Sequence, residues 1–90
     1  LARRSRALAH AAELIETRLH RTPEALKLYE RALSARPDNL TAFRALERLY
    51  MAEQLHRELV SLYQRAIDRA SDKQERVTLL GKLAAIYEDA

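Results

Sequence analysis

The sequence predicts an all-α fold in which about five helices pack as antiparallel helix-turn-helix pairs. Glycine occurs once and proline twice in the 90 residues, so few residues break a helix. Strong helix formers, chiefly alanine, leucine, arginine and glutamate, dominate the composition. Apolar side chains also recur at the helical period along most of the chain. A chain of this length is expected to form a single domain over residues 1–90.

Local chemistry predicts the first two breaks between helices. The segment 22–24 reads Thr-Pro-Glu, which predicts a helix start with Thr22 as the capping residue and Pro23 at the first helical position. Further on, Pro37 disfavours helical geometry at the residue before it. Asp38 or Asn39 can then cap the helix that follows. One helix is therefore expected to end before residue 22 and the next near residue 36.

The last two breaks rest on a capping signal and on periodicity. Asp72, with Glu75 three residues later, predicts a capping box at the start of the last helix. Residues 40–70 contain neither glycine nor proline, yet the apolar stripes around Tyr50 and Leu59 lie half a turn out of phase. A turn near residues 53–56 lets both stripes face one core. The predicted helices span residues 2–19, 23–35, 39–52, 56–70 and 73–89.

The second and fourth predicted helices are copies of each other. Residues 24–33 align with residues 58–67 at an offset of 34, and five of the ten positions are identical. The first, third and fifth helices share one apolar pattern, with offsets of 35 and 37. The chain therefore repeats a unit of two helices about every 34 residues.

The residues at equivalent repeat positions resemble those of the tetratricopeptide repeat (TPR) family. The second helix of such a repeat carries a small residue, an aromatic, an alanine and a following proline, matched here by Ala25, Tyr29, Ala32 and Pro37. The next unit keeps Tyr63 and Ala66 and replaces the other two. The resemblance implies a right-handed α-solenoid whose four tyrosines pack between helices. With no starting methionine and no helix after the last one, the chain is expected to be a fragment of a longer array.

The repeat pattern also predicts which large side chains are buried. Small residues at these positions let helix axes approach closely, and the aromatic rings fill the space between units. The expected core consists of Leu28, Tyr29, Leu46, Tyr50, Leu62, Tyr63 and Leu83.

No arrangement of residues predicts an enzyme, a cofactor or a metal site. The chain has no cysteine, and His10, His20 and His56 lack the spacing and the neighbouring carboxylates of a metal site. The hydroxyl residues show no triad-like spacing. Because Gly81 is the only glycine, a glycine-rich phosphate loop is excluded. His20 and His56 are expected in turns, and Gly81 either admits a close neighbour or is a tolerated weakness of its helix.

The resemblance implies a protein-interaction scaffold whose first-type helices line a concave face. The residues expected on that face are Arg6, His10, Glu13, Thr17, Thr41, Arg44, Arg48, Met51, Thr78 and Lys82. Some family members clamp a partner's C-terminal carboxylate with Lys and Asn, but the Asn positions here are Glu13 and Ala45, so that clamp is not expected.

The charges of this groove suggest its ligand. Arg44, Arg48 and Lys82 oppose Glu13, which predicts a positive groove that binds an acidic peptide or helix, since arginine suits bidentate contacts to carboxylates. The alternative is that Arg44 and Arg48 merely pair with Glu47 or Glu13.

Two other classes of function stay open on the sequence alone. The net charge of +3 and the arginines among residues 3–6 allow nucleic-acid binding, but acidic and basic residues interleave and no basic platform carries free aromatics. The second class is oligomerisation. The last helix carries an apolar stripe with no helix to cover it, which predicts self-association or a covering segment. That stripe consists of Leu79, Leu83, Ile86 and Tyr87.

The sequence offers little on cellular context. No apolar run approaches the roughly 18 residues of a membrane span, and no signal-peptide pattern is present, so a cytoplasmic location is expected. The chain has thirteen arginines and three lysines, which indicates the codon usage of a GC-rich, bacterial genome.

Overall fold

The structure, a computed structural model, describes residues 2–89. Five α-helices follow one another within this range: α1 (Ala2–Leu14), α2 (Thr22–Ala35), α3 (Leu40–Ala52), α4 (His56–Arg69) and α5 (Lys73–Asp89). A π-helical segment, Ile15–Leu19, continues α1. The described residues form no β-strand. The predicted all-α class is therefore confirmed.

The bounds of α2 and α4 reproduce the internal offset of the sequence. Each of these helices has 14 residues. The first residue of α4 is 56 and that of α2 is 22, a separation of 34. Between α3 and α4 the chain turns at residues 53–55, so the predicted break is confirmed and no helix runs through from residue 40 to residue 70.

The turn after α3 is closed by two backbone hydrogen bonds. Gln54 adopts a left-handed conformation with φ of 57°. Its N–H donates to the carbonyl of Met51 at 3.2 Å, and the N–H of Leu55 donates to the carbonyl of Tyr50 at 2.8 Å. This pair of bonds is the Schellman motif, which satisfies carbonyls that the helix end leaves without partners. Residues near 53–56 thus end a helix without glycine or proline.

Two of the predicted caps are formed by the expected side chains. Asn39 Oδ1 accepts the N–H of Ala42 at 3.0 Å, so Asn39 caps α3. Asp72 Oδ1 accepts the N–H of Gln74 at 3.1 Å at the start of α5. Glu75 is exposed and makes no return hydrogen bond to Asp72 among the described residues, so only the Asp72 half of the predicted capping box is present.

The junction between α1 and α2 differs from the prediction in two ways. The predicted single α-helix over residues 2–19 is wrong in its last turn, which is π-helical and ends at His20 with φ of 54°. Thr22 is not the cap of α2 but its first residue, because the carbonyl of Arg21 already accepts the N–H of Ala25 at 3.0 Å. Pro23 tolerates this position, since the first amide groups of a helix have no helical partner.

The chain divides after Leu49 into two compact units. Unit 1 contains α1, the π-helical segment, α2 and α3 as far as Leu49. Unit 2 begins at Tyr50 and contains the end of α3, α4 and α5. Each unit buries its own apolar face.

Small side chains dominate the contact between α1 and α2 in unit 1. Ala12, Ala25 and Ala32 are fully buried, and Ala9 is nearly so. Tyr29 is 2% exposed among them. Alanines on both helices let the two axes approach closely, as the repeat pattern predicts. Leu28, predicted in the core, is only half-buried, because it lies about 100° around α2 from Tyr29, at the edge of the buried stripe.

A buried hydroxyl fastens the start of α1 to both neighbouring helices. Ser5 is 1% exposed. Its Oγ donates to the carbonyl of Ala32 in α2 at 2.7 Å and accepts Asn39 Nδ2 at 2.7 Å. Asn39 therefore caps α3 and holds Ser5 at once. The neighbours Arg4 and Arg6 are exposed.

The core of unit 2 forms where α4 packs against α5. Leu59, Leu62, Tyr63, Ala70 and Leu79 are buried there. Two predictions for α5 are wrong, however. The side chain of Leu83 is half-buried, and that of Tyr87 is 61% exposed. Each step of four residues turns a straight helix by about 40°, so the line from Leu79 to Tyr87 rotates away from α4.

Candidate functional site

An open groove of about 720 Å³ lies within unit 1. One wall comes from the end of α1 and the π-helical segment, and the other comes from α3. Tyr29 of α2 is the one lining residue between them. The lining residues are Glu13, Glu16, Thr17, Tyr29, Leu40, Thr41, Arg44, Ala45 and Arg48.

A bidentate ion pair crosses this groove. Arg48 Nη1 donates to Glu16 Oε2 at 2.6 Å, and Arg48 Nη2 donates to Glu16 Oε1 at 2.9 Å. The hydroxyl of Tyr29 donates to the same Oε1 at 3.2 Å. The Glu16 side chain is 15% exposed and that of Arg48 is 57% exposed. Three elements are therefore joined at one carboxylate, which belongs to the π-helical segment.

The pKa values of Glu16, Arg48 and Tyr29 are shifted by these contacts. Hydrogen bonds from Arg48 lower the pKa of Glu16, against the opposing effect of burial, and the Tyr29 hydroxyl lowers it further. The same pairing raises the pKa of Arg48. Burial, followed by the charge of Glu16, raises the pKa of Tyr29 to about 12. The fold thus favours an ionised carboxylate beside a neutral phenol.

Alkaline pH should weaken the fold through Tyr29. Its pKa is about 12 in the folded chain, against about 10 for an unperturbed tyrosine. Because the folded pKa is raised, this stabilisation is fully present below about pH 10 and is lost as the pH rises through about 12. Wild type should lose more stability than Tyr29→Phe over that interval, measured by urea denaturation at a series of pH values. Ser61→Ala, at an exposed site of α4, controls for loss of a hydroxyl, and identical pH profiles for wild type and Tyr29→Phe would contradict the prediction.

Five of the residues predicted on the concave face line the groove within unit 1: Glu13, Thr17, Thr41, Arg44 and Arg48. The hydroxyl of Thr17 donates to the carbonyl of Glu13 at 2.8 Å. The predicted residues Arg6 and His10 are exposed on α1 and lie outside the lining.

The remaining predicted residues belong to unit 2. Met51 is 54% exposed. The hydroxyl of Thr78 donates to the carbonyl of Gln74 at 3.0 Å. The ammonium of Lys82 lies 6.0 Å from the centroid of the Tyr63 ring, within range of a cation–π contact. The proposed convergence of Lys82 with the arginines of unit 1 stays a prediction.

Glu16 changes the charge of the groove from what the sequence predicts. Arg48 pairs with Glu16, and not with Glu13 or Glu47 as considered above. Two arginines and two glutamates therefore line the groove, and the positive excess expected in its centre is absent among these unit 1 residues. Arg44 is exposed and has no ion pair or hydrogen bond from its side chain to another described residue.

Sequence reasoning missed Glu16 because no local pattern distinguishes it from the other charged residues of the first helix. The predicted burial of Tyr29 is the one feature of the sequence that indicates a role for Glu16. A buried tyrosine hydroxyl normally finds a polar partner. Tyr29 is predicted to be buried, so it requires an acceptor from a neighbouring helix. Glu16 is one of the few carboxylates near the end of the first helix.

Comparisons with known proteins add nothing to the functional evidence that the groove provides. The chain matches no known family model, no curated protein and no solved structure. Within the described residues, no group of histidine, aspartate and glutamate side chains could hold a metal ion. Likewise, no helix there is both long and apolar enough to cross a membrane.

Proposed function

We propose that this chain is a protein-interaction scaffold, without catalysis, whose unit 1 groove binds a peptide segment that carries a carboxylate. The observation that carries the proposal is the contrast between two arginines on one face of α3. Arg48 is held by Glu16, whereas Arg44, one helical turn earlier, has no side-chain partner among the described residues. A guanidinium with free donors is well suited to bind a carboxylate in bidentate geometry.

Apolar surface beside Arg44 supports a peptide ligand rather than a free anion. Leu40 is 57% exposed and precedes Arg44 by four residues, so both lie on the same face of α3. Thr41 lines the groove between them. An acidic residue next to an apolar residue would satisfy both Arg44 and Leu40. The groove is also open to solvent, so a peptide segment can enter it.

The proposed architecture is a right-handed α-solenoid of the tetratricopeptide type. The equal lengths of α2 and α4 and their separation of 34 residues support it. In such an array the first helices of successive units line one concave face, and α1 and α3 both contribute residues to the groove of unit 1.

The experiment selects ligands and then tests Arg44. Peptides chosen on the wild-type chain from a phage-displayed library of random sequence should be enriched in Asp or Glu next to Leu, Ile or Phe. Calorimetry with a selected peptide should show that Arg44→Glu weakens binding about 10-fold to 100-fold, the effect of losing a hydrogen bond to a charged group. The helix content of the variant should stay that of wild type.

Arg31→Glu is the matched control, because it changes the net charge equally at an exposed site of α2 outside the groove. It should leave the affinity of the selected peptide unchanged. Equal losses for Arg44→Glu and Arg31→Glu would indicate a nonspecific effect of charge. Full affinity in Arg44→Glu would place binding outside this groove and would contradict the proposal.

A further inference from the structure

The outer face of α5 presents an exposed apolar seam. Val77 is 54% exposed, Leu80 is 47% exposed and Tyr87 is 61% exposed. With Ala84, which is also exposed, they are spaced by three, four and three residues. This alternation is the spacing of the core positions in a coiled coil. We call these four residues, with Lys73 and Glu88 at the two ends of the same face, the α5 seam.

The seam is distinct from the face of α5 that packs in unit 2. That inner face carries Leu79, which is 6% exposed, together with the half-buried Leu83 and Ile86. The stripe predicted to mediate association is therefore largely used inside unit 2. Gly81 adjoins the seam, and a methyl group placed there would meet no atom within 4 Å. No described residue covers this side of the helix near Gly81.

The charges at the two ends of the seam favour a second copy of this chain as the molecule that covers it. Lys73 opens the helix and Glu88 lies near its end, both exposed and without an ion-pair partner among the described residues. A second copy of α5 packed antiparallel would bring each Lys73 to the same end as the Glu88 of the other copy, about one helical turn apart and within reach of its long side chain. A parallel copy would instead place like charges together at both ends. The seam is thus complementary to itself in one orientation only.

The sizes of the side chains fit the same orientation. When two antiparallel seams are aligned about their centre, Leu80 faces Ala84 of the second copy and Val77 faces Tyr87. Each layer then pairs a larger side chain with a smaller one, as close packing between helices requires. Such a contact is isologous, since the same surface is used on both copies and the assembly closes as a dimer.

We infer that two copies of this chain associate through an antiparallel pair of α5 helices, with Leu80 and Ala84 in the two central layers and Lys73 within reach of Glu88 of the other copy at both ends. This surface shares no residue with the groove around Arg44. Peptide binding and dimerisation can therefore be tested separately, and a negative result for one proposal does not contradict the other.

Sedimentation equilibrium from micromolar to millimolar chain concentration tests the dimer. Wild type should pass from monomer to dimer, and Leu80→Glu should raise the dissociation constant at least about 10-fold, because it places a charge in the apolar centre. Leu19→Glu is the matched control, since Leu19 is a 57% exposed leucine in unit 1. Circular dichroism should show equal helix content in all three. A wild type that stays monomeric throughout would overturn the inference and leave the seam for a different partner.

Charge exchange and cross-linking test the orientation. Lys73→Glu should weaken the dimer, and adding Glu88→Lys in the same chain should restore it. The native chain has no cysteine, so Lys73→Cys and Glu88→Cys each introduce a single thiol. A thiol-reactive cross-linker should join copies in a mixture of the two variants, whereas neither variant should cross-link alone. Efficient cross-linking of Lys73→Cys by itself would show a parallel pair and would overturn the inference.

Discussion

Replacing Leu62 by alanine should lower the free energy of unfolding by about 2–5 kcal/mol. Leu62 lies in α4 and is 1% exposed, so the substitution removes buried apolar atoms and leaves a cavity. Its neighbours along α4, Leu59 and Tyr63, are equally enclosed and have little freedom to collapse into the space. A domain of this size has a total stability of only about 5–15 kcal/mol, so this single change should remove a large part of it.

Urea denaturation followed by circular dichroism measures the effect. Gln64→Ala is the control, because Gln64 is exposed on the same helix and differs little from alanine in helix propensity. The control should unfold close to wild type. An unchanged midpoint for Leu62→Ala would show that α4 does not bury this face, and the assignment of the unit 2 core would be wrong.

The interaction between Glu16 and Arg48 should make the second-largest contribution to stability. A double-mutant cycle should give a coupling free energy of about 1–2 kcal/mol. The variants are Glu16→Gln, Arg48→Gln and the pair together. Glu16 is largely buried, so the two hydrogen bonds from Arg48 stabilise a carboxylate that water reaches poorly. Because the Arg48 side chain is 57% exposed, solvent screening keeps the coupling below that of a fully buried pair.

The coupling free energy between Glu16 and Arg48 should decrease as the pH falls into the acidic range. The pKa of Glu16 is lowered in the folded chain, chiefly by the hydrogen bonds of Arg48. Its contribution is therefore present above the unfolded pKa of about 4.3 and is lost as the pH falls through the lower folded value. Repeating the cycle in acid should reduce the coupling. A coupling independent of pH would show that the carboxylate charge is not its source.

Arg36 and Asp38 provide the control pair for this experiment. Their side chains form an ion pair at 2.7 Å, but they are 46% and 67% exposed and lie two residues apart. Water and salt screen such a pair, so Arg36→Gln with Asp38→Asn should show no measurable coupling. Equal coupling in the two cycles would indicate that burial of Glu16 contributes nothing, against the geometry of the groove.

The pairing of Arg48 also bears on the proposed function. Arg48 and Glu16 join α3 to the π-helical segment and so hold the walls of the groove in place. Arg44 is then presented from a fixed wall. A groove whose walls are already held in place loses less conformational freedom when a peptide binds than a groove with mobile walls would. We therefore expect Glu16→Gln to weaken peptide binding less than Arg44→Glu does.

Features that depend on neighbours in sequence were determined by the sequence itself. The caps at Asn39 and Asp72, the turn after α3 and the offset between α2 and α4 all appear in the structure as predicted. Helix periodicity and capping involve residues within one or two turns of each other, so the chain encodes them locally. The same local rules were wrong about Thr22, because Arg21 offers an equally suitable carbonyl one position earlier.

Contacts between distant residues were decided only by the tertiary structure. Ser5 is buried because the carbonyl of Ala32, 27 residues away, accepts its hydroxyl. Glu16 lines the groove because its carboxylate pairs with Arg48, which lies 32 residues further along the chain. Tyr87 turns outward because helix rotation carries it past the edge of α4. Periodicity specifies an apolar or polar face only as a broad sector, whereas the relative rotation of packed helices decides which side chains at its edges meet a partner and which meet water.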